Sequence, residues 1–240
     1  MEIIPAVDIM KGRVVRLVRG DPKQLRSYSK LGDPVSVAKR WEAEGAKFIH
    51  VVDLDAALGT GRNFEVIESI VRSVEASVQV GGGIRSLEIA RKLLLMGVKR
   101  VILGSLAFSD PHLVESLLRE FGEKKVIVAL DHKDDVVMVK GWKASTKISV
   151  DVAAEKFREL GVKIFLVTSI ARDGALLGPD IEILSRLCRR GLKVIAAGGV
   201  SSIRDILDLK HVGVHGVVIG RALYEGRLSL REALRAVRID

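Results

Sequence analysis

Short, almost wholly apolar runs alternate along the whole chain with longer stretches in which apolar residues recur every three to four positions. The runs occupy residues 3–7, 48–52, 77–80, 100–103, 125–130, 164–168, 193–196 and 216–219. They lack polar alternation, so they predict strands buried on both faces, the mark of a parallel sheet. The intervening stretches predict amphipathic helices. Asp33-Pro34, Ser86 and Asp110-Pro111 place a capping side chain ahead of a first turn, with each proline suited to the first helical position. Gly45, Gly97, Gly122, Gly161 and Gly191 follow the periodic segments and read as helix stops.

A strand followed by a helix, eight times over in 240 residues without a linker, predicts one (β/α)8 TIM barrel as a single domain spanning residues 1–240. An open doubly wound sheet is the alternative, and an internal repeat argues against it. One spacing carries Phe48 to Ile164, Gly82 to Gly198 and Val101 to Val217, so two similar half-barrels are expected to close one barrel. Asp8 and Asp131 are further apart than that spacing. The surplus lies in the first half, most simply in the loop after the first strand.

The chain contains no apolar run of 18 or more residues, and Asp8 and Lys11 interrupt any secretory signal, so it reads as soluble and cytoplasmic. Lys and Arg outnumber Asp and Glu by 39 to 30, but they are spread along helices, and aromatics are only 4%. Neither a basic arm nor a stacking platform for nucleic acid is present. The lone Cys188 sits in a helical apolar pattern and reads as inert packing. One Asn and two Gln in a chain that is 29% charged resemble the usage of proteins from hot environments.

In such a barrel the active site is built from the C-terminal ends of the strands and the loops that follow them. Asp8 and Asp131 end the first and fifth strands, on opposite sides of the mouth. Facing carboxylates in a sheltered pocket divide acid and base roles when their surroundings separate their pKa values. A strand-end Asp also serves as a helix cap or an ion-pair partner. Two at matching stations favour chemistry.

Residues 81–86 follow the third strand and residues 197–202 the seventh, each glycine-rich and each opening a helix. Gly82, Gly83, Gly198 and Gly199 let backbone N–H groups approach an anion, and the helix start adds favourable charge. Arg85 follows the first cluster. Gly104-Ser105 and Gly220-Arg221, after the fourth and eighth strands, complete each cradle with a hydroxyl and a guanidinium. Two phosphates are implied. Thr168 is placed to bond the reacting part of a substrate, and Asp53 to accept from hydroxyls or to position a partner. Arg172-Asp173 is either a loop salt bridge or a substrate contact, and Trp142 covers a flat ring or anchors its loop. Beyond the His211/His215 pair, which no Glu accompanies, the histidines lack metal-ligand spacing, and neither a nucleophile elbow nor a Walker loop occurs, so no metal is expected.

At these residues the chain resembles the phosphoribosylformimino-5-aminoimidazole carboxamide ribotide isomerases of histidine biosynthesis. The likeness rests on residues 5–8 with 12–17, 51–55, 81–86, 168–174, 197–202 and 219–222. It implies a cofactor-free Amadori rearrangement of a bisphosphorylated aminoaldose ribotide to an aminoketose. Asp8 would be the proton acceptor, Asp131 the donor and Thr168 the support of the intermediate. Gly174, in the sixth loop, joins the phosphate-binding set. A monomer without nucleic-acid or membrane partners is the expectation. The chain departs from the family in having His132-Lys133-Asp134-Asp135 where Arg, a small residue and Gly are usual, and Ala175 where Thr is common. The alternatives are a bifunctional isomerase that also takes phosphoribosyl anthranilate, the cyclase subunit of imidazole glycerol phosphate synthase, whose first strand usually reads Cys-Leu-Asp, and a non-catalytic basic binding protein.

Overall fold

The computed structural model describes residues 1–238. The last two residues of the expected 1–240 domain lie outside the described residues. Among the described residues, twelve strands form one sheet: β1 (Glu2–Met10), β2 (Arg13–Val18), β3 (Asp21–Ser27), β4 (Phe48–Asp53), β5 (Ser77–Gly81), β6 (Arg100–Leu103), β7 (Val126–Lys133), β8 (Val136–Val139), β9 (Ala144–Ser149), β10 (Ile164–Ser169), β11 (Lys193–Ala197) and β12 (Gly216–Ile219). Eight of them pair in parallel in the order β1, β4, β5, β6, β7, β10, β11, β12, and the β1–β12 and β10–β7 pairings close the ring. These are the eight apolar runs of the sequence, so the (β/α)8 TIM barrel stands.

Packing follows the period-two pleat. Ile4, Ala6, Ile102, Ile127, Ala129, Leu166, Ile195 and Val218 fill the barrel interior. Alternate residues such as Val7, Val51, Leu103 and Phe165 face the helices in a second, larger core. The helix ends obey their sequence signals: Asp33, Ser86 and Asp110 accept from the N–H groups of Ser36, Ile89 and Leu113. The Cys188 thiol is half-buried, and burial raises its pKa, which disfavours the thiolate.

Two antiparallel hairpins were not foreseen. β2 and β3 extend from the end of β1, and β8 and β9 extend from the end of β7. They stand at equivalent stations of the two half-barrels, over the mouth. The first is longer and carries the turn Ser29–Leu31, which is the surplus expected after the first strand. The repeat reaches the backbone angles. Gly104 (φ −97°, ψ −108°) and Gly220 (φ −110°, ψ −101°) open the short helices Ser105–Ser109 and Arg221–Tyr224, while Ser86 (φ −151°, ψ 164°) and Ser202 (φ −145°, ψ 164°) cap the longer helices Leu87–Leu95 and Ile203–His211.

Candidate active site

A cavity of about 880 Å³ opens at the C-terminal ends of the barrel strands, within the range usual for small-molecule sites. β1 and β7 are four strands apart in either direction round the ring, so Asp8 and Asp131 line it from opposite sides. Thr168 sits beside Asp131 in the β7–β10 register.

The two carboxylates have different neighbours. Asp8 is buried and accepts from Arg16 Nη1 at 2.9 Å. Burial raises its pKa, the Arg16 guanidinium lowers it and nearby Asp173 raises it, for a value of about 6. Asp131 has no such cation among the described residues. Its Oδ2 accepts from Trp142 Nε1 at 2.9 Å, and its pKa is raised by burial, lowered by hydrogen bonds from Trp142 and Thr168, and raised by Asp173. Asp173 is therefore felt by both. Its own pKa is raised by burial against the pull of Arg16, which lies 3.5 Å away.

Sequence reading assigns Arg16 no role of its own and offers Asp173 only as a partner of Arg172 or of substrate. Arg16 is a lone charge in the apolar run of residues 14–18, a signal of a buried partner. The Arg172–Asp173 loop salt bridge does not form: the Arg172 guanidinium donates to the carbonyls of Leu177 and Gly178, and Asp173 pairs with Arg16. His50 also lines the cavity. It accepts from Gln79 Nε2 at 3.1 Å through Nδ1, and burial with the nearby Arg16 pushes its pKa down to about 3, so the ring is neutral. The donation from Gln79 puts the ring proton on Nε2.

Gly82, Gly83, Arg85 and Ser105 border the cavity on one side, and Gly174, Gly198, Gly199, Gly220 and Arg221 on the other. Arg85 Nη2 donates to Ala57 O at 3.1 Å. Arg221 is held by Glu225 at 2.8 Å and by the Gly174 carbonyl. The Ser105 hydroxyl already accepts from the Lys140 N–H at 2.7 Å. Asp53, expected to bind substrate, does not border the cavity. It lies on the helix-facing side of β4, where its oxygens accept from Ala56 N, Asn63 N and Asn63 Nδ2. Asn63 in turn donates to Asp55 and accepts from Gly12 N, so Asp53 holds the start of the first hairpin instead. Among the described residues no three His, Cys, Asp or Glu side chains converge as metal ligands would.

Trp142 both anchors its loop and covers the mouth. The indole crosses from the second hairpin to the first and lies against Gly20, where an added Cβ would come within 2.4 Å of Trp142 Cε3. Gly20→Ala is therefore expected to push the indole off and break its bond to Asp131. Trp41 is buried elsewhere, so the change is read as altered emission from Trp142. Unchanged emission would show that the ring does not rest on Gly20.

A family model described as histidine biosynthesis protein matches residues 2–229. The chain is 41% identical over 238 residues to a protein of Nitrosopumilus maritimus, an alignment covering 99% of this chain and 100% of the relative. It is 41% identical over 240 residues to one of Methanocaldococcus jannaschii and 45% identical over 238 residues to one of a Thermoanaerobacter species, each covering 99% of this chain and 100% of the relative. All three relatives are named 1-(5-phosphoribosyl)-5-((5-phosphoribosylamino)methylideneamino)imidazole-4-carboxamide isomerase. No helix among the described residues is long and apolar enough to cross a membrane.

Proposed function

Because the chain belongs to the histidine biosynthesis protein family and is an isomerase of that pathway, we propose that Asp8 and Asp131 perform its Amadori rearrangement as general base and general acid. The reaction converts an aminoaldose ribotide with two phosphates into the aminoketose. The isomerase name of the relatives favours this over the cyclase reading.

The observation that carries the role assignment is the unequal company of the two carboxylates. Arg16 keeps Asp8 ionised above about pH 6, ready to accept a proton. Asp131 faces a neutral indole donor, which favours its carboxylate only while Trp142 is in place. A substrate entering beneath the indole displaces that donor. Burial and Asp173 then act on Asp131 unopposed by Trp142 and favour its protonated form.

The chemistry follows in order. Asp131 gives its proton to the ribose ring oxygen, and the nitrogen lone pair opens the ring to an iminium. Asp8 takes the proton from C2, and the electrons of that bond form the C1–C2 double bond of an enolamine. Protonation at C1 and loss of the enol proton give the ketone. Thr168, beside Asp131, supports the intermediate. The two glycine cradles hold the two phosphates on either side of the mouth. The same reading makes the protein a single-barrel cytoplasmic enzyme acting on a free ribotide rather than on nucleic acid, supported by its scattered basic residues.

Turnover of the aminoaldose ribotide, followed spectroscopically across pH, tests the proposal. Protonating Asp8 removes the base, so kcat/KM is expected to fall about tenfold per unit below about pH 6. A rate that stays flat well below that value would remove Asp8 from the role.

A further inference from the structure

A second cavity, of about 760 Å³, lies outside the indole of Trp142, between the two hairpins and the loop after β10. Its charged lining is Arg19, Lys133, Lys143 and Arg172 against a single acid, Asp21. Among the described residues the side chains of Arg19, Lys133 and Lys143 have no carboxylate within ion-pair distance, and all three are exposed. Arg172 donates its guanidinium to two carbonyls, which bring no countercharge. Several arginines elsewhere do have acid partners, as in Arg40–Glu44, Arg91–Glu120 and Arg158–Glu155. Four like charges gathered in one concavity, none of them ion-paired among the described residues, repel one another and favour an anion between them.

The cleft is continuous with the catalytic mouth. Gly20, Gly141, Trp142 and Lys143 border both cavities, and the indole is the wall between them. We propose that this cleft is an encounter site for a phosphoryl group: one phosphate of the incoming ribotide is captured here, before the indole moves and the substrate passes to the glycine cradles. The inference rests on the isomerase reading above. Shallow, solvated cations suit this task, because they attract a dianion over a Debye length of about 10 Å at moderate salt yet release it readily.

The test is the association rate of the aminoaldose ribotide with the Asp8→Asn enzyme, which binds without turning over, read by stopped-flow tryptophan fluorescence. In that background the triple change Arg19→Glu, Lys133→Glu and Lys143→Glu is expected to slow association about tenfold at low salt, with the deficit closing as salt rises. A control triple, Lys47→Glu, Lys99→Glu and Lys163→Glu, makes the same change in net charge at exposed positions just before β4, β6 and β10, at the other end of the barrel. It is expected to stay within about twofold. Equal rates for the two triples, or a deficit that persists undiminished at high salt, would overturn the encounter site. If the cleft triple does not fold, Lys133→Glu and Lys143→Glu singly carry the same salt signature at about threefold each. Wild-type turnover in a parallel assay judges the isomerase reading independently.

Discussion

Asp8→Asn and Asp131→Asn are each expected to lower kcat by about 10²–10⁴-fold, the scale of a positioned acid or base. The amide keeps the shape and one acceptor oxygen. At the first position that oxygen can still accept from Arg16, and at the second from the Trp142 indole, so near-UV circular dichroism is expected to match wild type. Neither residue belongs to a glycine cradle, and affinity for inorganic phosphate is expected to hold. What each variant loses is the ability to carry a proton. A kcat within about tenfold of wild type for either one would defeat the acid–base assignment.

The second large effect is structural. Gly199 has φ +86°, and a Cβ there would lie 2.0 Å from the Gly178 carbonyl oxygen. The gap cannot relax cheaply, because Gly178 N donates to Gly199 O at 3.0 Å and ties the two loops together. Gly83 repeats the situation in the other half, with φ +64° and Ala56 C at 2.2 Å. Gly199→Ala or Gly83→Ala is expected to cost about 3 kcal/mol or more in chemical denaturation and to spoil the adjoining phosphate cradle. Gly191→Ala is the comparison. It has φ +77° with nothing within 4 Å, so backbone strain alone, about 1 kcal/mol, is expected. Equal losses at Gly191 and Gly199 would show that close approach at the cradle adds nothing.

The barrel was legible because each of its eight strands is an apolar run buried on both faces, and because capping residues such as Asp33 and Asp110 mark where helices start. The hairpins were not. The run at residues 14–18 resembles one more buried strand, and only the fold-back onto β1 gives it a partner, through pairs such as Asp8 with Val15. That fold-back also brings Arg16 to Asp8, a contact that no local pattern encodes. Asp173 reaches the same place from the far side of the ring.

Of the two roles open to Asp53, positioning a partner is the one its geometry matches, for a reason already present in the repeat. The spacing that superposes Gly82 on Gly198 also superposes Val52 on Thr168 and Asp53 on Ser169. Val52 and Thr168 border the cavity; Asp53 and Ser169 do not. A one-residue step along a strand reverses the face, so the conspicuous carboxylate was the outward-facing one.

Asn63, the chain's lone asparagine, sits buried between Asp53 and Asp55, with its amide nitrogen bonded to both and its oxygen to Gly12 N. In a chain with only two other side-chain amides, Gln24 and Gln79, this one is spent on holding two carboxylates together. Hydrolysis to a carboxylate would set a third negative charge against two others and withdraw the donor that binds them. The knot that seats the first hairpin thus hangs on one neutral amide, and a carboxylate in its place would loosen the roof of the mouth.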